Sequence, residues 1–451
     1  MLPVKYIGIL LFFLLLITQN TARAQELQKY QFSLLRQDDR LDELIAGTQK
    51  SRYDRLKVIE FGNNQVISFG GSYRGQYELF RNEEFSFSPN RENGWYLQRI
   101  LAHTNIELSK SFRIFGELGS SLISGKEDLA PVDRDELYVN QLFAELKFDN
   151  LTITMGRENL KAGSRRLLDP REGPNVRQAF DHLSFEWAKK DWSVLVFGGS
   201  PMIPRNGIFD NQGFQNEEWL WGVYSSKKLK EGRGFDTYYL GFHQEEATYK
   251  LGTDEELRNS LGFRIWDSKG RWQYDNEAVW QFGSFGETNL FAWTVSFNIK
   301  NKLNKNNQLG LKTELISGTT SAGRLGTFNP LYPRGAYFGR VARFGPANLI
   351  DIHPYWTFRK KRFTMEIDYD VFWRFSLEDA VYGPPLNIAL DGDSDERFIA
   401  QQIGTIFNYE FNPFAVVELE TNVIFPGEYI REVRPDSETL LHVVFTSEFR
   451  F

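Results

Sequence analysis

The chain closes on "TLLHVVFTSEFRF", Thr439–Phe451, and the order of apolar and polar residues there decides the fold. Leu441, Val443, Phe445, Phe449 and Phe451 share one parity, while His442, Thr446, Glu448 and Arg450 share the other. A strand sends alternate side chains to opposite faces. This segment is therefore a strand with one oily, aromatic face and one charged face. Two settings suit such a strand: the edge of a soluble sandwich, or a wall with lipid on one side and water on the other.

The same alternation recurs upstream. In "RFTMEIDYDVFWRF", Phe363, Met365, Ile367, Tyr369, Val371, Trp373 and Phe375 oppose Glu366, Asp368, Asp370 and Arg374. In "NLFAWTVSFNI", Phe291, Trp293, Val295, Phe297 and Ile299 oppose Thr294, Ser296 and Asn298. "RWQYDNEAVWQF" and "IDIHPYWTFR" repeat the pattern. Aromatic residues gather near the ends of the oily faces, as membrane-interface girdles require, and acids and bases run down the other faces. Lipid leaves no backbone group unpaired, so a sheet exposed to it must close into a barrel. A strand ending on Phe451 also resembles the C-terminal strand of bacterial outer-membrane barrels. The expected fold class is all-β: a transmembrane antiparallel β-barrel of about 18 strands over residues 61–451, an even number as such barrels have. The strands begin near Val66 and Leu97, include one near Val176, and finish with one near Leu440. Long loops are expected at 199–216, 316–339 and 376–396.

The other end reads "MLPVKYIGILLFFLLLITQNTARAQ". Lys5, an apolar run from Tyr6 to Ile17, and Ala22-Arg23-Ala24 form the three parts of a secretory signal peptide, residues 1–24. The run is shorter than the ~20 residues that cross a bilayer as a helix. Residues 25–60 are polar with scattered leucines, and are expected to be a periplasmic arm or an inserted N-terminal segment. Cysteine is absent and the net charge is -6, which removes disulfides and argues against a nucleic-acid partner.

If the oily parity faces lipid, the other parity lines the lumen. Its basic candidates include Arg74, Arg99, Arg264, Arg359 and Arg374, and its acidic ones Asp351, Asp368 and Asp370. Such charges either pair and stiffen the wall or form a polar track for a solute, since rings of charge set pore selectivity. All five histidines, His103, His182, His243, His353 and His442, can be placed on the inward parity. None has metal-ligand spacing, so no metal and no cofactor is expected. Neither G-x-S-x-G nor H-E-x-x-H occurs, and the chain is read as no enzyme. One connection stands out: "GRENLKAGSRRLLDPREGPNVRQAFDHLSF", Gly156–Phe185, too long for a hairpin turn and dense in charge.

That run resembles the alginate-export family of outer-membrane barrels, whose members carry a similar G-R, G-S-x-R-L and P-R-E-G-P-N-V-R-x-x-F-D. "NQVISFGGSYRGQYELF", "YLQRILAHTNIELSKSFRIFGEL" and "FNPLYPRGAYFG" match its style. The resemblance implies an eighteen-stranded barrel in the bacterial outer membrane and a passive pore for an anionic, alginate-like polysaccharide or oligosaccharide, narrowed by folded loops. It places Arg157, Arg165, Arg166, Arg171, Arg177, Asp181 and Arg334 on the substrate path. The same barrel also suits a general or sugar-selective porin. Expected partners are the solute, outer-membrane lipid, and the barrel-assembly machinery through Phe451. With Arg113, Arg271, Lys312 and Arg450 added to the bases, and Glu78, Glu107, Glu117, Glu145, Asp275, Glu277, Glu314, Glu366, Glu418, Glu420 and Glu448 to the acids, acids outnumber bases among the inward candidates, whereas an alginate path is expected to be electropositive.

Overall fold

The structure, a computed structural model, describes residues 30–39, 44, 51–62, 65–86 and 92–451. The signal peptide expected at 1–24 lies outside the described residues. Eighteen antiparallel strands follow one another in chain order, from Gln65–Arg81 to Leu440–Arg450. The last pairs back onto the first, Ser72 opposite Arg450 and Arg81 opposite Leu441, so the eighteen-strand wall closes on itself.

Parity along the wall follows the sequence. On the first strand Ser68, Arg74 and Gln76 are buried, whereas Phe69, Tyr77 and Leu79 are exposed. On the last strand His442 and Val444 are buried and Leu441 and Val443 are exposed. Phe148, Trp187, Trp192, Trp272 and Tyr409 are exposed beside the short turns, forming an aromatic belt at the end where the first strand begins and the last finishes. Cross-strand pairs exploit missing side chains. A Cβ on Gly262 would stand 1.9 Å from the Tyr238 ring, and one on Gly310 2.1 Å from that of Tyr355, so these glycines make room for inward rings.

Connections differ at the two ends. Turns such as 110–111, 149–150, 190–191 and 361–362 are tight, while 159–179, 202–217, 317–348 and 375–397 are long. The strand expected near Val176 begins instead at Phe180. Asn175 donates to the carbonyls of Gln98, Leu122 and Asp133 at 3.3, 3.1 and 3.0 Å, and the Val176 amide donates to Val132. That segment is pinned to two neighbouring strands and to the connection at 132–133, not into a ladder.

Part of the segment expected to precede the barrel lies against the inner wall. Arg36 donates to the carbonyls of Gly71 at 3.0 Å and Phe451 at 3.2 Å. Arg113 and Gln141 donate to the Gln37 carbonyl and side chain, each at 3.0 Å. A short helix, Arg52–Lys57, is capped by Ser51 and leads into a strand, Val58–Gly62, that pairs with the start of the first barrel strand.

Candidate functional site: two loops folded into the barrel

The interior is filled by connections that turn inward. Loop 159–179 leaves the strand Leu151–Glu158 and returns into Phe180–Lys189. Its turns place Gly163, Arg165 and Arg171 at φ of 52°, 65° and 55°. Two of these three are arginines in a region that ordinarily favours glycine, held there by their partners. The buried Asp169 accepts from the Arg171 amide at 2.6 Å and pairs with the Arg165 guanidinium. Leu160, Leu167 and Leu168 pack into a buried apolar cluster with Phe180, Phe242, Phe328, Leu331 and Tyr332.

Loop 317–348 docks on the first loop through its backbone. The amides of Tyr332 and Arg334 donate to the carbonyls of Leu167 and Arg165 at 3.1 and 3.2 Å. The Tyr332 ring lies 4.8 Å from that of Phe180 and 6.3 Å from that of Phe242. Inward-facing apolar side chains on the wall thus serve as seats for loops. Their place on the polar parity was the available signal, and a lumen expected to be lined by charge left them unread.

The arginines fall into three sets. The first set pairs with carboxylates inside the barrel, though Glu172 alone serves three guanidiniums. Glu172 takes Arg177 at 2.5 Å, Arg74 at 3.8 Å, and Arg99 in direct contact. Burial opposes the ionised form of Glu172, but Arg177, with Arg99 and Arg74 behind it, outweighs burial and holds the carboxyl well below its ordinary range. Arg166 reaches wall acids, Glu277 at 3.2 Å and Glu314 at 2.8 Å. Arg264 bridges Asp275 and Asp236 at 2.6 and 2.7 Å. Arg340, which the sequence reading did not single out, takes Glu418 at 3.1 Å and Glu420 at 3.6 Å.

The second set is Arg171 and Arg334. Arg171 donates to the Leu331 carbonyl at 3.0 Å and lies over the Tyr332 ring. Arg334 donates to the Tyr337 carbonyl at 3.3 Å and lies over the Tyr337 ring. Among the described residues neither forms an ion pair with a carboxylate within 4.0 Å. Both sit at the seam between the two loops.

The third set departs from the expectation. Arg157 and Asp181 form a bidentate pair, 2.8 Å at each contact, on the outward parity of the wall. Arg157 shares its face with Met155 and stands opposite Leu142, both exposed to lipid; Asp181 shares its face with exposed Leu183. Loop 202–217 covers the pair from outside, the Phe214 amide donating to Asp181 at 3.2 Å. These two residues therefore do not line the lumen. His243 likewise faces outward, against Glu255 at 2.8 Å, although inward parity was expected of it.

The remaining lining candidates lie apart from the seam. Arg359 is exposed beside the turn at 361–362. Arg374 is buried, donates to the carbonyls of Glu396 and Leu377 at 3.0 and 3.1 Å, and stacks over Tyr429 at 3.9 Å. It anchors loop 375–397. Asp351, Asp368 and Asp370 gather on two adjacent strands with His353.

A closed barrel of lipid-facing strands with loops folded into its lumen is the architecture of an outer-membrane channel protein. The sequence model of the family described as alginate export matches residues 65–443. The chain belongs to that family. No curated protein sequence matches it. Solved structures of similar fold include OpdO of Pseudomonas aeruginosa, 11% identical over 85% of this chain and 97% of that one, with a TM-score of 0.60. OccAB4 of Acinetobacter baumannii is 9% identical over 86% of this chain and 98% of its own, with a TM-score of 0.58. OccK5 (OpdH) of Pseudomonas aeruginosa is 12% identical over 85% and 98%, with a TM-score of 0.55.

Proposed function

We propose that this protein is a passive outer-membrane channel for an anionic, alginate-like polysaccharide or oligosaccharide, with the seam between loops 159–179 and 317–348 as its constriction. One observation carries this reading: Arg171 and Arg334 meet at that seam and donate to backbone carbonyls rather than to carboxylates. A guanidinium in that state keeps donors for a uronate carboxylate, which it can bind bidentately. Arg165 sits beside them, half-exposed and paired with Asp169. Arg166 and Arg177 act here as loop anchors: Arg166 is held by Glu277 and Glu314, and Arg177 shares Glu172 with Arg74 and Arg99. The lumen residues work by binding and release.

A sugar-selective porin is the second reading. The acidic row Asp351, Asp368 and Asp370 favours it, because it lines the same lumen wall with carboxyl groups, which do not attract a polyanion.

The two separate in planar bilayers. The refolded protein is expected to be blocked by oligouronates added to one side, with the block weakened about tenfold or more in Arg171→Ala/Arg334→Ala. Cation selectivity with no oligouronate block would reject the polysaccharide reading and leave a porin for another solute.

A further inference from the structure

The acidic row raises a separate question. Asp351 and His353 lie two residues apart on the inward face of the strand Leu349–Lys360, and Asp370 faces them from Phe363–Arg374. One ligand atom from each of the three falls within 4.8 Å of the others, and all three side chains are buried. His353 Nδ1 touches Asp370 Oδ1. Gln402 donates to the other Asp370 oxygen at 3.1 Å.

Among the described residues neither carboxylate oxygen of Asp351 has a hydrogen-bond partner, although the residue is only 1% exposed. A buried carboxylate without a partner is costly. The neighbouring charges do not supply one. Glu314, opposite Asp351 in register, is committed to Arg166 and Tyr337. Lys312, opposite His353 in register, holds its ammonium over the Tyr355 ring, 4.7 Å from the centroid. Asp368 adds a further acid one alternate position from Asp370. Protons would neutralise this row but would leave an Asp351 oxygen still without a donor. A cation among the three side chains satisfies all of them.

We infer that Asp351, His353 and Asp370 form a binding site for a first-row divalent cation in the lumen wall. Two carboxylates and one imidazole make a mixed oxygen and nitrogen set that suits zinc or manganese better than calcium or magnesium. Three protein ligands leave a further coordination position for water. The site does not depend on which solute passes the channel.

Zinc is the probe. Untagged, refolded protein is loaded with Zn²⁺, stripped of loose metal on a chelating resin, and its metal content measured. Heat-modifiable gel mobility reports folding of each variant. The wild type is expected to retain about one zinc per chain, and His353→Gln and Asp351→Asn are expected to bind about tenfold or more weakly. His243→Gln, on the outer face, is expected to match the wild type. X-ray absorption on the loaded wild type needs no variant. The scattering of one imidazole, with oxygens completing the shell, supports the site. Retention no greater in the wild type than in His353→Gln would overturn it. So would a shell with no imidazole or with several, or retention of calcium in place of zinc.

Discussion

Arg157 and Asp181 show how one residue's face decides its role. Both belong to the most distinctive run of the sequence, and both carry charge that suits a pore. Yet Met155, Gly156 and Arg157 alternate, and the exposed Met155 fixes Arg157 on the lipid side. A charged pair at that position survives because each partner satisfies the other and loop 202–217 seals it. Breaking a buried pair leaves an unpaired charge and costs about 3 kcal/mol. Asp181→Asn is therefore expected to lower the temperature of the heat-modifiable gel transition while leaving single-channel conductance near the wild-type value. A changed conductance with unchanged thermal stability would place the pair on the path after all. The motif was legible in the sequence, but its orientation was not. Arg157 falls at the end of a strand that gives way to loop two residues later, where a pattern of alternation has too few members to count.

At the scale of elements, loop 159–179 is held inside the barrel by Glu172 and three arginines, two from the wall and one from the loop itself. The carboxyl of Glu172 lies below its ordinary value of 4.5, so its contribution to docking is full above that value and is lost as pH falls beneath it. Channel noise and open-state conductance are expected to stay flat from about pH 7 to about pH 5 and to rise only under more acid conditions. Glu172→Gln removes the charge at every pH and is expected to show the acid behaviour at neutrality. A conductance that is the same in both proteins down to the acid end would mean that the loop is fixed by its apolar contacts alone. Long connections could be found from their glycine, proline and charge content. That two of them fold onto each other could not, because the link is made of backbone bonds such as Arg334 to Arg165, which leave no trace in side-chain pattern.

For the whole molecule, the alternation that marks each strand carried the fold. Even the strand count followed, because each oily face needs its own polar opposite and each turn interrupts the period. The interior was less readable. A lumen was expected to be lined by charge, and the barrel instead places Leu97, Phe242, Val279 and Phe372 on the inward side as seats for loops. Removing residues 440–451 deletes the strand that pairs with both Gln65–Arg81 and Ala415–Pro426. The shortened chain is expected to lose the heat-modifiable mobility shift entirely; retention of the shift would mean that a smaller barrel can close.

That seam joins Gly75 to Ser447, partners 372 positions apart along the chain. Every other neighbouring pair of strands is a hairpin or a loop-linked step, so the wall can grow from one side by short-range additions. Closure alone has very high contact order, and such contacts form late. Until it forms, the growing sheet carries two open edges, the first covered only at its start by Val58–Gly62, each a template for another chain. The seam thus sets the interval in which this protein is most prone to aggregate, and a folding catalyst that shields those two edges would act there first.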